Sequence, residues 1–487
     1  MIRLTEEQEI ILGLLNTFWK SNEWIFQLDA PAGTGKTTLI GYFIRELMLR
    51  YDMSLRIVLC AFTNKAKKVL QKSPILQQLE NLITICTIHQ YMGARLDYDD
   101  EGNEFFINSN QYWSERDKKH IPSQTVDLLI IDEVSMVNDE QYKIIMEYVE
   151  QSMNMKIITL GDRCQLQPVQ KREGVSLFYQ HGISAQLTKN MRNQCPQMNE
   201  VLNEIREYIL NEKIYNFPEL RPKFSQVGEN IKLINSENFS TIFKTEFHEA
   251  KDDEVIQFLS HKTGNKKNHL LSVSEYNDII REKLFNLPKG TCPIQPSEQL
   301  QVMKTFGEGG MQYDVCDILK VVSTELSTKI LDCGQDIWGQ HEIFLLGLKE
   351  IRHTGETIET QELKLSDGNR ISVVIGKESI DKFKTYQKTL REYIISHLTD
   401  KNIKKLKKFK SYRHMLWSAY YGFIYKINSP VEPYYANSIH KSQGSTFDKT
   451  FLNLGNFKWK INCKHQDFMN LLYVGLSRSK GKTYVLL

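Results

Sequence analysis

The chain has 487 residues, of which 41% are hydrophobic and 25% are charged, a composition typical of globular proteins with several domains. Its 62 basic and 59 acidic residues leave a net charge of +3, so any site for a polyanion must be a local patch. No apolar run reaches the roughly 18 residues that span a bilayer, and the acidic start is not typical of a secretion signal. The eight cysteines are scattered without a C-x-x-C pair, which argues against a metal site or a disulfide framework and favours reduced thiols in the cytoplasm.

The first predicted element is a helix that begins with a capping box formed by Thr5 and Gln8. Leu4, Ile11 and Leu14 are expected on its buried face. Gln8 has two interpretations, either the partner in an ordinary helix cap or an amide that binds the edge of an adenine base.

The next segment is an apolar strand, residues 25–29, followed by a glycine-containing loop and a helix. This order is that of a phosphate-binding P-loop, in which backbone N–H groups and a helix N-terminus surround the phosphates. Gly33 and Gly35 permit the tight loop, Lys36 is expected to reach the β- and γ-phosphates, and Thr37 is expected to bind Mg²⁺. The other loop residues expected at the nucleotide are Ala32, Thr34 and Thr38. Ala30 stands where the pattern opens with Gly, but Ala is small enough to keep the loop intact.

A second β-rich run, Leu55 to Thr63, ends in the polar residues Thr63, Asn64 and Lys65. Ligands bind at the carboxyl ends of strands in open α/β sheets, so these residues are candidates for a binding site. Taken alone, these three residues are better explained as a loop that caps a helix than as a binding site.

Two later strands end in residues that suit phosphate chemistry. The apolar run before Asp132 and Glu133 is typical of a strand buried on both faces. The two carboxylates are predicted to bind Mg²⁺ and to orient the attacking water, respectively. The following strand, residues 155–160, leads to Gln165, which is placed to sense a γ-phosphate.

Together these segments resemble three motifs of superfamily 1 helicases. The P-loop corresponds to motif I, Asp132 to Met136 to motif II, and Gly161 to Val169 to motif III. The residue sequences of motif II and of Thr87-Ile88-His89 resemble those of the 1B branch, which contains the Dda and RecD helicases. The resemblance implies ATP and Mg²⁺ as cofactors and makes Gln8 the adenine-reading residue. It also places Thr63, Asn64 and Lys65 (motif Ia) and His89 (motif Ib) along a single strand of DNA.

Between His89 and Asp127 the chain becomes polar, and residues 95–107 predict a β-hairpin closed by a glycine-containing turn. The helicase branch carries a pin that splits the duplex at this place, so Phe105 and Phe106 could stack on the separating base pair. The alternative, two aromatic residues that anchor an ordinary surface hairpin, is about equally good.

In the second half, Arg192 occupies the place of the motif IV arginine, which contacts the γ-phosphate in the family. Further on, β-rich pieces at Ile343 to Leu348 and Ile371 to Ile375 fit the small barrel inserted in Dda-like helicases. A helical stretch follows that contains Lys401, Lys404, Lys405, Lys407, Lys408 and Lys410. A run of lysines is usually a solvated face, which is the slightly favoured interpretation here, and a contact to phosphates is the alternative.

Two final segments resemble motifs V and VI. In the first, the resemblance assigns Ser438 and His440 to DNA and Gln443 and Gly444 to the nucleotide. In the second, residues 471–479, Gly475 stands where Ala is commoner, and Arg478 is the candidate arginine finger.

The sequence therefore predicts an α/β fold with two RecA-like parallel-sheet motor domains. The first comprises residues 1–90 and 127–195 with a hairpin insertion at 91–126. The second comprises 196–310 and 430–487 with a barrel (SH3-like) and helical insertion at 311–429.

The expected activity is ATP-dependent movement along single-stranded DNA with unwinding of duplex DNA, and the 5′→3′ direction rests on the family branch alone. The expected nucleic-acid partners are single-stranded DNA and forked or tailed duplex DNA, and the expected protein partners are single-strand binding, replication or recombination proteins. We expect the protein to be a cytoplasmic monomer that binds no membrane. Two alternatives stay open: an RNA-directed superfamily 1 motor, and a P-loop kinase or nucleotide switch, which leaves motifs V and VI unexplained.

Overall fold

The computed structural model describes residues 3–51, 54–108, 126–151, 155–166, 176–192, 195–211, 224, 227–235, 237–251, 254–260, 271–288, 293–307, 312–331, 356–406, 408–457, 460 and 465–486. The chain divides into two compact units. The first unit comprises Met1–Gly93, Tyr112–Leu284 and Tyr435–Leu487, and the second comprises Ala94–Gln111 and Phe285–Tyr434.

The part of the chain up to residue 211 contains alternating helices and strands. Its described helices are α1 (Glu6–Lys20), α2 (Lys36–Arg50), α3 (Asn64–Gln71), α4 (Pro74–Gln77), α5 (Ile88–Tyr91), α6 (Asp139–Gln151) and α7 (Pro196–Leu210). Its described strands are β1 (Ile25–Asp29), β2 (Ile57–Ala61), β3 (Ile83–Thr87), β4 (Ala94–Tyr98), β5 (Glu104–Asn108), β6 (Leu128–Ile131), β7 (Lys156–Gly161) and β8 (Ile183–Gln186).

The remainder continues with the described strands β9 (Ile231–Ile234), β10 (Ile256–Ser260), β11 (Gln299–Val302), β12 (Ile318–Ile330), β13 (Thr357–Leu365), β14 (Arg370–Val374), β15 (Val431–Pro433), β16 (Ala436–Ser438), β17 (Lys449–Asn453) and β18 (Thr483–Leu486). The described helices are α8 (Phe239–Glu249), α9 (Val273–Leu284), α10 (Lys377–Thr399), α11 (Lys401–Lys404), α12 (Phe409–Ile427) and α13 (His465–Leu476).

The first unit contains two parallel sheets. One has the strand order β3-β2-β6-β7-β1-β8, and the other has the order β16-β10-β17-β18-β9. Every strand pair in both sheets is parallel, so the carboxyl ends of the strands in each sheet meet at one edge. These sheets confirm the predicted α/β fold with two RecA-like motor sheets.

Helix α1 packs on the first sheet through a stripe at helical spacing. Ile11, Leu15 and Phe18 are buried, and the predicted capping box between Thr5 and Gln8 is present. The prediction that Leu14 lies on the buried face is wrong, because Leu14 is 44% exposed. The three buried residues are separated by four and three positions, so the apolar stripe includes Leu15. The adjacent Leu14 therefore lies on the solvent-exposed side of the helix.

The second unit contains a hairpin, an antiparallel sheet and a group of helices. Strands β4 and β5 pair antiparallel, with Leu96 opposite Phe106. The larger sheet has the order β14-β13-β12-β11-β15, and its two edges approach where the Ser429 N–H donates to the Ser372 carbonyl at 2.7 Å. Closure into a barrel stays a prediction, and the predicted strand at residues 343–348 lies outside the described residues, as does Lys407.

Helices α10 and α12 share an apolar core in which Trp417, Leu390 and Phe383 are buried. The four-domain division given above stays a prediction. None of the helices in the described ranges is long and apolar enough to cross a membrane.

Candidate functional site

The P-loop connects the buried strand β1 to α2. Gly33 and Gly35 have φ angles of +89° and +79°, a left-handed conformation that residues with a side chain rarely adopt. Ala30 is fully buried and its N–H donates to the Gly161 carbonyl at 2.7 Å, so the residue that departs from the P-loop pattern fits its place. Lys36 Nζ donates to the Ala30 carbonyl at 3.1 Å, which folds the lysine back along the loop.

The remaining loop residues lie close to this turn. Ala32 and Thr34 are buried, and Thr34 Oγ1 donates to the Pro31 carbonyl at 2.9 Å. Thr37 and Thr38 lie half-buried in the first turn of α2.

Gln8 supports the P-loop from α1. Its Nε2 donates to the Thr34 carbonyl at 3.0 Å, while its Oε1 accepts the Thr5 N–H at 3.0 Å. A Cβ atom added at Gly35 would lie 2.4 Å from Gln8 Nε2, so the glycine is also required for space. The structure thus shows the helix-cap interpretation of Gln8, and the adenine-reading role stays a prediction.

Asp132 and Glu133 follow the carboxyl end of β6. Burial and the neighbouring Glu133 carboxylate raise the pKa of Asp132 to about 6, while Lys36 acts in the opposite direction. Glu133 has a left-handed φ of +55°, and its buried Oε2 has no hydrogen-bond partner among the described residues. Two crowded carboxylates near a lysine form a donor set that suits a hard cation such as Mg²⁺.

Gln165, in the loop after β7, is fully buried. Neither its amide oxygen nor its amide nitrogen has a hydrogen-bond partner within the described ranges. A buried amide left without partners costs about 1–3 kcal/mol, so a ligand or water that supplies those partners would be favoured at this place.

Arg192 lies on the P-loop from the segment between β8 and α7. The Met191 N–H donates to the Gly33 carbonyl at 2.8 Å, and a Cβ at Gly33 would lie 2.5 Å from the Cβ of Arg192. Arg192 Nη1 also donates to the Ser477 carbonyl at 3.3 Å, in the motif VI segment of the other sheet. Burial and the charge of Arg478 lower the pKa of Arg192 to about 10.

Arg478 lies just after α13 and is 1% exposed. Its guanidinium donates to the Val474 carbonyl at 3.1 Å, to Ser477 Oγ at 3.0 Å and to the Ser445 carbonyl at 3.4 Å. Burial lowers its pKa, and the Glu133 carboxylate is the largest opposing influence. The predicted arginine finger of the second sheet is therefore within electrostatic reach of the carboxylates of the first.

A buried network that the sequence reasoning missed joins the two sheets. Arg206 of α7 donates to Asp162, at the end of β7, and reaches Asp29, at the end of β1, at 3.4 Å. The Tyr473 hydroxyl of α13 donates to Asp162 Oδ2 at 2.7 Å. The sequence does contain a signal for this network. Arg206 follows Leu202 by four residues and so lies on the apolar stripe of α7, where a buried cation needs an anionic partner.

Motif V and Asn470, the residue of α13 before motif VI, also contact the loop that carries Gln165. Asn470 Nδ2 donates to the Cys164 carbonyl at 2.7 Å and to the Gln165 carbonyl at 3.3 Å. Gln443 Nε2 donates to the Leu166 carbonyl at 3.4 Å. The structure therefore places Gln443 against motif III, and its assignment to the nucleotide stays a prediction.

The residues of motifs Ia, Ib and V that are expected to bind a single strand all lie in the first unit. Thr63 Oγ1 caps α3 by accepting the Ala66 N–H at 3.1 Å, and Asn64 and Lys65 form the first turn. Lys67 Nζ donates to Gln90 Oε1 at 3.2 Å, which joins α3 to the short helix α5.

His89 of motif Ib lies on α5, and burial lowers its pKa. In motif V, Gly444 has a φ of +71°, and its Cβ position lies 3.9 Å from Ala66 Cβ, so this motif approaches α3. Ser438 is buried with its hydroxyl accepting the Lys441 N–H at 3.2 Å, and His440 begins a short 3₁₀ helix.

The hairpin aromatics lie in the second unit. Phe105 and Phe106 are 38% and 57% exposed on β5. The turn of the hairpin is docked on α12, because a Cβ at Gly102 would lie 2.7 Å from ring carbons of Trp417 and the Tyr421 hydroxyl donates to the Gly102 carbonyl at 2.7 Å.

Residues 3–216 match the family model of an AAA domain, and residues 433–486 match that of a UvrD-like helicase C-terminal domain. The ATP-dependent DNA helicase Dda of enterobacteria phage T4 is 25% identical over 494 residues, covering 98% of each chain. The RecD subunit of the RecBCD enzyme of Buchnera aphidicola from Acyrthosiphon pisum is 25% identical over 496 residues, covering 94% of this chain and 69% of that protein.

A crystal structure of a Bacteroides Pif1 helicase in complex with ADP-AlF3 and ssDNA covers 99% of this chain and 92% of that one, with 16% identity and a TM-score of 0.50. That likeness supports the fold. The sequence relatives confirm the resemblance to the superfamily 1B helicases.

Proposed function

We propose that this helicase of the Dda and RecD type uses ATP and Mg²⁺ to move 5′→3′ along single-stranded DNA and to unwind duplex DNA ahead of it. The observation that carries the proposal is the convergence of charges from two parallel sheets. Lys36, Asp132 and Glu133 come from the first sheet, and Arg478 comes from the second.

The residues present fit a nucleotide with its cation. The Glu133 oxygen and the Gln165 amide lack partners within the described ranges, so polar atoms of a ligand can satisfy them. In this assignment Lys36 and the P-loop N–H groups hold the phosphates, and Thr37 and Asp132 hold Mg²⁺. The cation would neutralise charge on the phosphates, while Glu133 orients the attacking water.

Hydrolysis can drive movement because the γ-phosphate would be held from both sheets. Arg192 and Gln165 would contact it from the first sheet and Arg478 from the second, so its release would remove a link between them. The proposed strand contacts divide in the same way. Motifs Ia and Ib extend from the first sheet, and motif V extends from the second.

The test is ATP hydrolysis measured with matched DNA and RNA oligonucleotides, followed by unwinding of duplexes with a 5′ or a 3′ tail. We expect stimulation by single-stranded DNA above that by RNA, and unwinding of the 5′-tailed substrate. Lys36→Ala serves as the inactive control.

Each alternative has its own outcome in this assay. Equal or greater stimulation by RNA would make the protein an RNA-directed motor. Hydrolysis that no single strand stimulates would favour a nucleotide switch or a kinase, and unwinding from a 3′ tail would reverse the direction.

A further inference from the structure

We propose that the lysine-rich end of α11 and the start of α12 bind the phosphate backbone of duplex DNA ahead of the unwinding point. Five described lysines of this cluster, here called the lysine end, are exposed: Lys401, Lys404, Lys405, Lys408 and Lys410. The proposal rests on the proposed function, since it names the part of the DNA that this second unit holds.

Part of the positive charge of the lysine end has no acidic partner among the described residues. Within the described part of the chain, Lys401, Lys405 and Lys408 form no ion pair, and Lys404 pairs with Asp100 at 3.5 Å. Asp400 is a second neighbouring acid, and its carboxylate accepts the Asn402 and Ile403 N–H groups at the start of α11. In a chain with a net charge of only +3, such a cluster is a local anion-binding surface.

The position of the lysine end relative to the hairpin indicates which anion it meets. Lys404 contacts Asp100, which lies in the turn between β4 and β5. Arg413, one turn into α12, also pairs with Asp100 at 3.0 Å and with Asp97 of β4 at 3.3 Å. The lysines are therefore held beside the hairpin that is expected to separate the strands.

The hairpin turn is fixed in this position by further contacts from α10. Arg391 donates to the Glu101 carbonyl at 3.1 Å and 2.9 Å. Because backbone and side chains of the turn are both held, the lysine end and the exposed aromatic strand β5 form one rigid surface within the second unit.

Duplex DNA is the occupant that best fits this surface. A duplex carries one negative charge per roughly 1.7 Å of axis, a higher density than a single strand, and so matches a compact cluster of cations. The residues expected to bind the single strand all lie in the first unit. Lysine side chains are suited to contact with backbone phosphates, which position a nucleic acid without reading its sequence.

The test replaces Lys401, Lys405 and Lys408 together by Gln and measures binding to a blunt duplex, a 5′-tailed fork and a single strand over a range of salt concentrations. Each neutralised phosphate contact changes the slope of log K against log[salt] by about 0.9, so the duplex and fork slopes should fall by about 2.7. Duplex affinity should weaken about tenfold to a hundredfold near physiological salt. Single-strand affinity and single-strand-stimulated ATP hydrolysis should stay at the wild-type level.

The matched control replaces Lys320, Lys364 and Lys384, three exposed lysines of the second unit outside the lysine end. An unchanged duplex slope, an equal loss on single-stranded DNA, or an equal loss in the control triple would each overturn the proposal. Wild-type hydrolysis that responds to single-stranded DNA, combined with an unchanged duplex slope, refutes this inference alone. Wild-type hydrolysis that ignores single-stranded DNA refutes the proposed function instead.

Discussion

Arg478 is a buried cation whose described hydrogen-bond partners are all neutral oxygen atoms. Burying a charge that has no hydrogen-bonded opposite charge is costly, and burial lowers the pKa of Arg478 although the Glu133 carboxylate acts in the opposite direction. Such a residue is retained where an anion completes the site. A γ-phosphate held between the two sheets is an anion of this kind.

Arg478→Ala should therefore remove hydrolysis while leaving nucleotide affinity close to wild type. An arginine finger contributes about 10³-fold or more to turnover, because it stabilises charge that develops in the transition state. Steady-state ATP hydrolysis and a nucleotide titration measure the two effects separately. Arg281→Ala, which removes a buried arginine of α9 outside the site, should lower stability and keep turnover. Wild-type turnover in Arg478→Ala would exclude the assignment.

His89 and Lys65 both lie on the expected path of the single-stranded DNA, and we expect them to differ in charge. Burial lowers the pKa of His89 from its ordinary value of 6.5, so the imidazole is neutral near pH 7.5. His89→Gln should leave the salt dependence of single-strand binding unchanged, whereas Lys65→Gln should lower the slope by about 0.7.

The same shift in the pKa of His89 affects stability. Its pKa in the folded state is below that in the unfolded state, so its contribution is present above 6.5 and is lost as the pH falls through the lowered value. As the pH falls below 6.5, the thermal unfolding temperature should decrease more steeply for the wild type than for His89→Gln. A reduced salt slope in His89→Gln would show that the imidazole is charged when DNA is bound.

At the scale of elements, the sequence predicts those parts whose cause is local. Strand β6 is recognised by its apolar run and the carboxylates that follow it, and the P-loop is recognised by its glycines and lysine. Gly475 shows the limit of this reasoning. A Cβ at this position would lie 2.5 Å from Leu452 Cδ1, so the glycine permits close packing of α13 on β17, a contact between segments distant in sequence.

The docking of the hairpin turn is likewise a contact between distant segments. The sequence predicts a hairpin with a glycine in its turn, but Gly102 has a φ of +83° and also lies against Trp417. Nothing in the residues around Gly102 encodes its partner. The hairpin itself was predictable from the sequence, whereas the surface that receives its turn was not.

The hairpin prediction concerns its exposed aromatic residues. Replacing Phe105 and Phe106 by Ala should lower unwinding of a forked duplex far more than DNA-stimulated ATP hydrolysis, since stacking on a base contributes about 1–3 kcal/mol. Leu96→Ala provides the matched control, because Leu96 is 38% exposed on the same hairpin, opposite Phe106. Equal losses of unwinding and hydrolysis would leave the aromatics as anchors of an ordinary hairpin.

At the scale of the whole first unit, the order of motifs along the chain predicts the two halves of the ATP site but not how they are joined. The two halves are connected by the network of Asp162, Arg206 and Tyr473. This network links the end of β7 in the first sheet to the helices α7 and α13. Its members are far apart in sequence and each has an ordinary local context. Only the packing of α7 and α13 brings them together.

Tyr473→Phe tests whether this network couples the sheets or only stabilises them. The change removes a hydroxyl that donates to Asp162, at a cost of about 1.5–3 kcal/mol for a hydrogen bond to a charged group. Because the loop from Asp162 to Gln165 carries the proposed γ-phosphate sensor, a small displacement there should lower DNA-stimulated turnover about tenfold to a hundredfold.

Tyr484→Phe is the matched control, since Tyr484 also donates its hydroxyl to a carboxylate, that of Glu246, but within the region of the second sheet alone. The two variants should lose comparable thermal stability. Only Tyr473→Phe should lose turnover, because only that hydroxyl connects motif VI to the motif III loop. If both variants lose stability and both keep wild-type turnover, the network holds the sheets together without taking part in the communication between them, and coupling must then depend on the arginines that contact the nucleotide directly.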